Sequence, residues 1–288
     1  MDSALATIGL PIALAVIMFG LGLGLSGEDF RRVGQRPKAI AVALACQLVL
    51  LPAVCFALVV LADLPAVLGI GMMLLAASPG GTTANLMSHL FHGDVALNIS
   101  LTAVNSIISI VTLPIVTGLA IAYYDRGDEV SVPFGEVLKV FVIILVPVGI
   151  GMFVRARNAT FAARMDRPVR MLSAVLLGLL VVAILVDERD NIEGYFADIG
   201  LVAAAFCAIS LVVGYVVPKA FGVVEKQAIA SSFEIGLHNG TLAIFIAVEV
   251  LGSVTFSVPA AVYSLVMLPL AALWGMYVTR RVRRPVTA

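Results

Sequence analysis

The chain alternates long apolar blocks with short polar connections. Each block has at least about 17 residues, enough to cross a bilayer as a helix. Apolar residues run continuously within a block, whereas the strands of a membrane barrel would alternate apolar and polar positions. We therefore predict an all-α polytopic membrane protein with nine transmembrane helices, at residues 4–26, 38–61, 65–91, 95–123, 134–154, 171–187, 197–217, 227–251 and 256–279.

Helix-weakening residues interrupt two of these blocks. The third span contains SPGGTTAN at residues 78–85, and the eighth contains FEIGLHNG at residues 233–240. Proline removes a backbone hydrogen bond and glycine loosens a helix, so we expect both spans to break near their middle. Breaks at matching positions of two oppositely oriented halves are typical of inverted-repeat secondary transporters. The predicted break residues are Pro79, Gly80, Gly81 and Gly236.

Composition supports a single membrane unit over residues 1–288. The chain is 61% hydrophobic and 12% charged, with a mean hydropathy of +1.09. Soluble domains are about 45–50% apolar and about 25% charged. The net charge of zero does not favour a nucleic-acid partner, and the three cysteines lack metal-ligand spacing. No small-residue cleavage site is evident in the first block, so we expect a retained span rather than a signal peptide.

Charged residues in the connections orient the spans. Basic residues cluster in alternate connections and in the C-terminal tail, while acidic residues occupy two of the others. By the positive-inside rule, the N-terminus lies outside and the C-terminus in the cytoplasm. The basic residues are Arg31, Arg32, Arg36, Lys38, Arg155, Arg157, Arg164, Arg167, Arg170, Lys219, Lys226, Arg280, Arg281, Arg283 and Arg284. The acidic ones are Asp125, Asp128, Glu129, Asp187, Glu188, Asp190 and Glu193.

Glu234 is the acidic residue that falls deep within a predicted span. A charge at mid-membrane costs ~2.5–3.5 kcal/mol on insertion scales, so its carboxylate should face protein or water. Oxygen-bearing side chains elsewhere in the spans can complete a site for a hard cation or a proton. Each of them can alternatively be an interhelical hydrogen-bonding group, and Glu234 a structural carboxylate. The candidates are Gln47, Asn85, Asn98, Thr102, Asn105 and Ser106.

The two breaks also predict an anion site. Half-helices beginning near Thr82 and near Asn239 would point free N–H groups into the protein, and helix N-termini attract carboxylates. Cation ligands beside an anion site suit the coupled uptake of an organic anion with a cation. His238 is open to three interpretations: an interior hydrogen-bonded residue, a proton partner of Glu234, or a cation ligand. Because histidine titrates near pH ~6.5, either of the last two would bring pH dependence.

Four segments resemble the bile acid:sodium symporter family, and together they cover nearly the whole chain. The resemblance implies an inverted repeat with two crossing discontinuous helices, divided into a panel and a core. The core would comprise about 38–123 and 171–251 plus the last span, and the panel about 4–26 and 134–170. It also implies a bacterial inner-membrane location. The segments are MFGLGLGLSGEDFRRV, PKAIAVALACQLVLLP, ASPGGTTANLMSHLFHGDVALNISLT and FEIGLHNGTLAI.

The resemblance further implies two sodium sites and a substrate site. Matching positions for one ion are Asn85, Thr102 and Glu234, with Asn98 supplying an oxygen where the family has serine. Those for the other ion are Gln47, Glu234, the backbone around Ile235 and Leu237, and His238. Those for the substrate carboxylate are Thr82, Thr83, Asn239 and Gly240. The chain departs from the family at Ala84 (serine in the family), which removes one ligand from the first site, and at His238 (glutamine), which puts the second ion in question.

These observations predict a sodium-coupled symporter of a small organic anion, with no cofactor beyond the coupling ion. A pantoate- or pyruvate-like acid is favoured over a bile acid, because Met267 and Leu268 stand where bile-acid-binding relatives have histidine and asparagine. The alternative is a proton-coupled antiporter or exporter that uses Glu234 and His238. An enzyme is disfavoured by the absence of HExxH and GxSxG motifs. A passive channel would show ion flux without saturable, coupled solute uptake.

Overall fold

The structure is a computed structural model that describes residues 4–124, 134–187 and 192–282. Within these ranges the chain is helical and forms no strand; a lone bridge pairs Gly80 with His238. The helices are α1 Ala4–Gly24, α2 Gly27–Val33, α3 Pro37–Ala45, α4 Leu51–Leu61, α5 Ala66–Ala77, α6 Thr82–Leu90, α7 Val95–Tyr124, α8 Phe134–Arg157, α9 Ala159–Asp187, α10 Ile192–Ala220, α11 Glu225–Gly236, α12 Gly240–Phe245 and α13 Val258–Val282. Charges used for orientation that lie outside the described ranges are Asp125, Asp128, Glu129, Glu188, Asp190, Arg283 and Arg284.

Every predicted span has helix at its position, and the apolar helices are those of a polytopic membrane protein. Among the described residues, three helices are long and apolar enough to cross a bilayer: Pro37–Leu61, Ile199–Ala220 and Thr255–Arg280. The bent pair Val95–Ser109 and Val111–Tyr124 makes a fourth if counted as one span. The two broken spans consist of shorter helices. The count of nine spans and the inverted repeat therefore stay predictions.

Helices α1, α8 and α9 pack on one another around a small apolar cluster of their own. Leu23, Ala162 and Val169 are its buried members. α1 and α8 approach closely at two glycines, because a Cβ on Gly22 would overlap the backbone of Val148, and one on Gly151 the backbone of Phe19. Small residues at such contacts are a common way for membrane helices to associate.

The predicted boundary between panel and core, at residue 170, does not coincide with the end of an element. It falls inside α9, which continues without a break from Ala159 to Asp187 and packs against α1, α8 and α13. Charged residues such as Arg164 and Arg167 lower the hydropathy of the first half of α9, so the predicted apolar span begins at residue 171, within the helix. Helix formation does not stop where the membrane does, because backbone hydrogen bonding continues in water.

A larger apolar core joins α3–α7 and α10–α13 and reaches α1 and, through Val148, α8. Its largest fully buried side chains include Tyr263, Phe206, Phe233 and Phe245. Both helix interruptions lie in this core, the first between α5 and α6 and the second between α11 and α12.

The two interruptions contact each other through the backbone. The N–H of Gly81 donates to the carbonyl of Leu237 at 3.3 Å, and the N–H of Asn239 donates to the carbonyl of Pro79 at 2.8 Å. A helix end buried in an apolar environment must satisfy its free backbone groups within the protein. Pairing the breaks meets that need and places residues from positions 79–81 beside residues from positions 237–239.

Candidate functional site

Glu234, on the last turn of α11, lies against the first interruption. Glu234 is only 2% exposed to solvent. A Cβ on Gly80 would overlap the Glu234 carboxylate, so glycine is required there for the two segments to approach. The sequence predicted Gly80 as a helix breaker, and the structure adds a second reason for it.

The two carboxylate oxygens of Glu234 have different surroundings. Oε2 accepts a hydrogen bond from the hydroxyl of Thr102, on α7, at 2.6 Å. Oε1 is buried and no donor among the described residues meets hydrogen-bond geometry with it, although the backbone N–H of Gly80 lies close to the carboxylate. An unpaired buried carboxylate oxygen is costly, which makes it a strong attractor for a cation.

Three amide oxygens among the described residues are likewise buried without a hydrogen-bond partner. The side-chain oxygens of Gln47, Asn85 and Asn98 are buried and lack a hydrogen-bond partner within the described part of the chain. For Asn98 the reason is visible, since its nitrogen donates to Ser88 Oγ at 2.7 Å and to the carbonyl of Ala230 at 2.9 Å. These bonds orient the amide, and its oxygen remains free. Carboxylate and amide oxygens are the ligands of hard cations.

Gln47 belongs to a second network with His238. Its Nε2 donates to the carbonyl of Ser78 at 3.1 Å and lies 3.4 Å from His238 Nε2. His238 Nδ1 lies 3.1 Å from the hydroxyl of Tyr263. Glu234 and His238 therefore have different hydrogen-bond partners, and no direct bond joins their side chains.

The backbone positions named for a second ion differ in their availability. The carbonyl of Leu237 already accepts from Gly81 N–H. The side chains of Ile235 and Leu237 are fully buried in the apolar core, so these residues can contribute to a cation only through their backbone. Among the described residues, no three His, Cys, Asp or Glu side chains form a group that could hold a metal ion.

The predicted substrate residues lie at the starts of α6 and α12. Thr82 and Thr83 open α6, whose N-cap Gly81 supplies no side-chain hydrogen bond, so the first N–H groups stay available. Asn239 caps α12, its Oδ1 accepting from Leu242 N–H at 3.1 Å. Gly240 packs against Ser264, where a Cβ would overlap the hydroxyl.

Sequence reasoning missed two supporting residues, Ser88 and Tyr263. Ser88 lies one helical turn after Asn85 on α6, and this spacing was the available signal. Tyr263 stands 25 positions from His238 along the chain. No local pattern connects these two residues, because their contact depends on how α13 packs against the second interruption.

Comparison with known proteins identifies the family of the chain. The profile of the sodium bile acid symporter family matches residues 11–194. The chain belongs to the sodium bile acid symporter family. The resemblance noted from the four sequence segments is thereby confirmed.

Relatives in the sodium bile acid symporter family have names that describe sodium-dependent transport. The chain is 25% identical over 253 residues to an uncharacterized sodium-dependent transporter of Bacillus subtilis, covering 88% of this chain and 77% of that protein. It is 26% identical over 277 residues to the human ileal sodium/bile acid cotransporter, covering 93% and 78%. It is 28% identical over 273 residues to a probable chloroplastic sodium/metabolite cotransporter of Oryza sativa, covering 91% of this chain. The match spans 63% of that plastid relative, less than two thirds of its length.

Proposed function

We propose that this protein is a sodium-coupled symporter of a small organic anion that works by alternating access. The observation that carries the proposal is a set of four buried side-chain oxygens that have no hydrogen-bond partner among the described residues and that lie on, or on residues in contact with, the segments flanking the two helix interruptions. They are Glu234 Oε1, Asn85 Oδ1, Asn98 Oδ1 and Gln47 Oε1.

The charge of this oxygen set suits a monovalent cation. Glu234 is the one ionisable acid among its members, so a bound Na⁺ leaves the site neutral, whereas a divalent ion would leave a buried positive charge. Thr102 and Asn98 come from α7, Asn85 from α6 and Glu234 from α11. A cation held by these residues ties together three helices that the chain brings in from distant positions.

The anion would bind at the start of α6. Thr82 and Thr83 present backbone N–H groups there, at the positive end of the helix dipole. Asn239 can add its Nδ2, because only its oxygen is needed for the cap of α12, and Gly240 lets the start of α12 approach Ser264 closely. Cation binding at Asn85, one turn into α6, would order the same helix start that receives the anion. This shared element couples the two solutes.

Transport would move one group of helices past the other. We propose α1, α8 and α9 as the panel, since they have their own apolar cluster. The remaining helices, with both interruptions, would form the core and carry the bound solutes. A pantoate- or pyruvate-like carboxylate fits the proposal better than a bile acid because of Met267 and Leu268, as argued from the sequence.

Sodium-dependent thermal stability of the purified protein tests the cation site. At fixed ionic strength, with choline replacing sodium, the unfolding temperature should rise with the logarithm of the Na⁺ concentration above the Kd, reflecting about 2.7 kcal/mol at 100 times the Kd. Glu234→Gln should abolish the rise. Glu28→Gln changes an exposed acid on α2 and should retain it.

Two other results would contradict the proposal. A wild type insensitive to Na⁺ but stabilised by a change in pH, with that effect lost in Glu234→Gln, would favour the proton-coupled alternative. In proteoliposomes, an inward Na⁺ gradient should drive saturable uptake of labelled pantoate or pyruvate. Sodium flux that is independent of any organic anion would instead indicate a passive channel.

A further inference from the structure

The imidazole of His238 has a hydrogen-bond partner at each nitrogen. The hydroxyl of Tyr263 donates its single hydrogen to the carbonyl of Gly236 at 2.8 Å. In the tautomer that satisfies both contacts of the hydroxyl, it accepts from Nδ1–H of His238, 3.1 Å away, and the carbonyl of Ala76 also lies close to the ring. The other nitrogen, Nε2, then has a lone pair and accepts from Gln47 Nε2 at 3.4 Å.

These contacts fix which end of the Gln47 amide is nitrogen. One of its two N–H bonds points to the carbonyl of Ser78 at 3.1 Å and the other to His238 Nε2. If the amide were flipped, Oε1 would face the carbonyl oxygen of Ser78 and the lone pair of His238 Nε2, neither of which can donate a hydrogen bond. The orientation that remains leaves Oε1 buried and without a hydrogen-bond partner among the described residues.

The ring of His238 is also held by its packing. His238 is 2% exposed. Its centroid lies 5.2 Å from that of Phe206 at an interplanar angle of 40°, and 5.5 Å from that of Tyr263 at 89°. A ring enclosed in this way cannot rotate to offer a nitrogen elsewhere without displacing its neighbours.

We infer that His238 is a positioning residue: together with Tyr263 it holds the amide of Gln47 so that Oε1 serves as a cation ligand, and it supplies no ligand atom itself. The inference rests on the proposed sodium-coupled function. It assigns Tyr263 to the support of the cation site, and it removes the imidazole from the set of ligands.

A double-mutant cycle on sodium affinity tests this role. Sodium binding to the full-length purified protein would be measured at fixed ionic strength for Gln47→Ala, His238→Ala and the double variant. Each single change should weaken binding by about tenfold, the size expected for losing one oriented hydrogen-bonding group. The double variant should be no weaker than Gln47→Ala alone, because His238 acts through Gln47. Losses that multiply would mean that His238 contacts the cation directly, and would overturn the inference.

Two conservative variants provide an independent readout. His238→Gln keeps an acceptor for Gln47 and a donor for Tyr263, so its sodium affinity should stay within about threefold of the wild type. Because glutamine is also the residue that the family has at this position, a loss of affinity in this variant is the informative outcome. Tyr263→Phe removes the acceptor for Nδ1–H and should weaken sodium binding, though it leaves every proposed ligand in place. If His238→Gln loses as much affinity as His238→Ala, or if Tyr263→Phe changes nothing, the positioning role is wrong.

The controls separate this inference from the proposed function. The unfolding temperature without sodium reports folding, and a merely structural role would lower it while leaving the sodium affinity of the folded protein unchanged. If His238→Ala does not fold, Tyr263→Phe still decides, because it leaves every proposed ligand in place and removes only the hydrogen-bond partner of the imidazole. A wild type that binds no sodium overturns the proposed function itself, whereas a wild type that binds sodium with an additive cycle overturns only the role of His238.

Discussion

The hydroxyl of Thr102 donates to Glu234 Oε2 across 2.6 Å, joining two residues that are 132 positions apart in the sequence. This bond satisfies one carboxylate oxygen and leaves Oε1 for the cation. Thr102 also lies near the carbonyl of Asn98, at 3.1 Å, one turn earlier on α7. The geometry makes the threonine hydroxyl the link between the carboxylate and the helix that carries Asn98.

Replacing Thr102 with valine should weaken sodium binding. Valine keeps the shape of threonine but removes the donor, which leaves both carboxylate oxygens unpaired in the apo protein and the carboxylate less well placed. We expect sodium affinity to fall by about tenfold, as for the loss of one hydrogen bond to a charged group. The measurement is the sodium dependence of the unfolding temperature. Thr112→Val is the matched control, because the Thr112 hydroxyl bonds only within its own helix, to the carbonyl of Ile108. Equal effects of the two changes would contradict a specific role for Thr102.

Replacing Gly80 with alanine should disrupt the cation site by steric overlap. The new methyl group would collide with the Glu234 carboxylate and push it out of place. Overpacking of this kind typically costs about 1–3 kcal/mol. We expect lower stability together with a loss of sodium binding in a titration. Gly81→Ala is the neighbouring control, since a Cβ there would meet no atom within 4 Å. Sodium affinity should then stay close to that of the wild type, and a similar loss in both variants would show that the collision is not the cause.

Replacing Asn239 with aspartate should separate the two roles of this residue. Aspartate is as good an N-cap as asparagine, so α12 and the unfolding temperature should be preserved. The added negative charge lies beside the start of α6 and should repel a carboxylate substrate. We expect anion uptake in proteoliposomes to fall by at least about tenfold, with sodium affinity much less affected. Unchanged uptake would remove Asn239 from the anion site.

Replacing Gly151 with alanine should loosen the contact between α1 and α8 without changing the cation site. The methyl group would overlap the backbone of Phe19, at a cost of about 1–3 kcal/mol. The unfolding temperature should fall, while the sodium affinity of the folded protein should not change. Gly149→Ala, two residues earlier on α8, is the control because nothing lies within 4 Å of a Cβ there. A change in sodium affinity with Gly151→Ala would contradict the independence of the proposed panel.

Local features of the chain could be predicted from the sequence without the tertiary structure. Continuous apolar runs indicate membrane helices, because lipid offers the backbone no hydrogen-bond partner outside the helix itself. The SPGGTTAN and FEIGLHNG stretches predict interruptions, because proline and glycine weaken the helical turn in which they stand. In the structure, helices end at Ala77 and Gly236 and resume at Thr82 and Gly240. The sixth span shows the limit of hydropathy as a guide. The apolar pattern begins at residue 171, whereas the helix α9 itself begins at Ala159.

Sequence pattern alone predicts a helical, membrane-embedded chain with two interruptions, and it places a carboxylate and several amides within the spans. Which atoms of those groups are available depends on how the helices pack. The side-chain amides of Asn98 and Gln47 each have one oxygen and one nitrogen. Hydrogen bonds with Ser88, Ala230 and His238 use the amide nitrogens, so the oxygens remain available. Those contacts join distant parts of the chain, so no spacing rule can reveal them. An amide oxygen can bind a cation only if no neighbouring donor already occupies it with a hydrogen bond. Its neighbours are set by the packing of the helices.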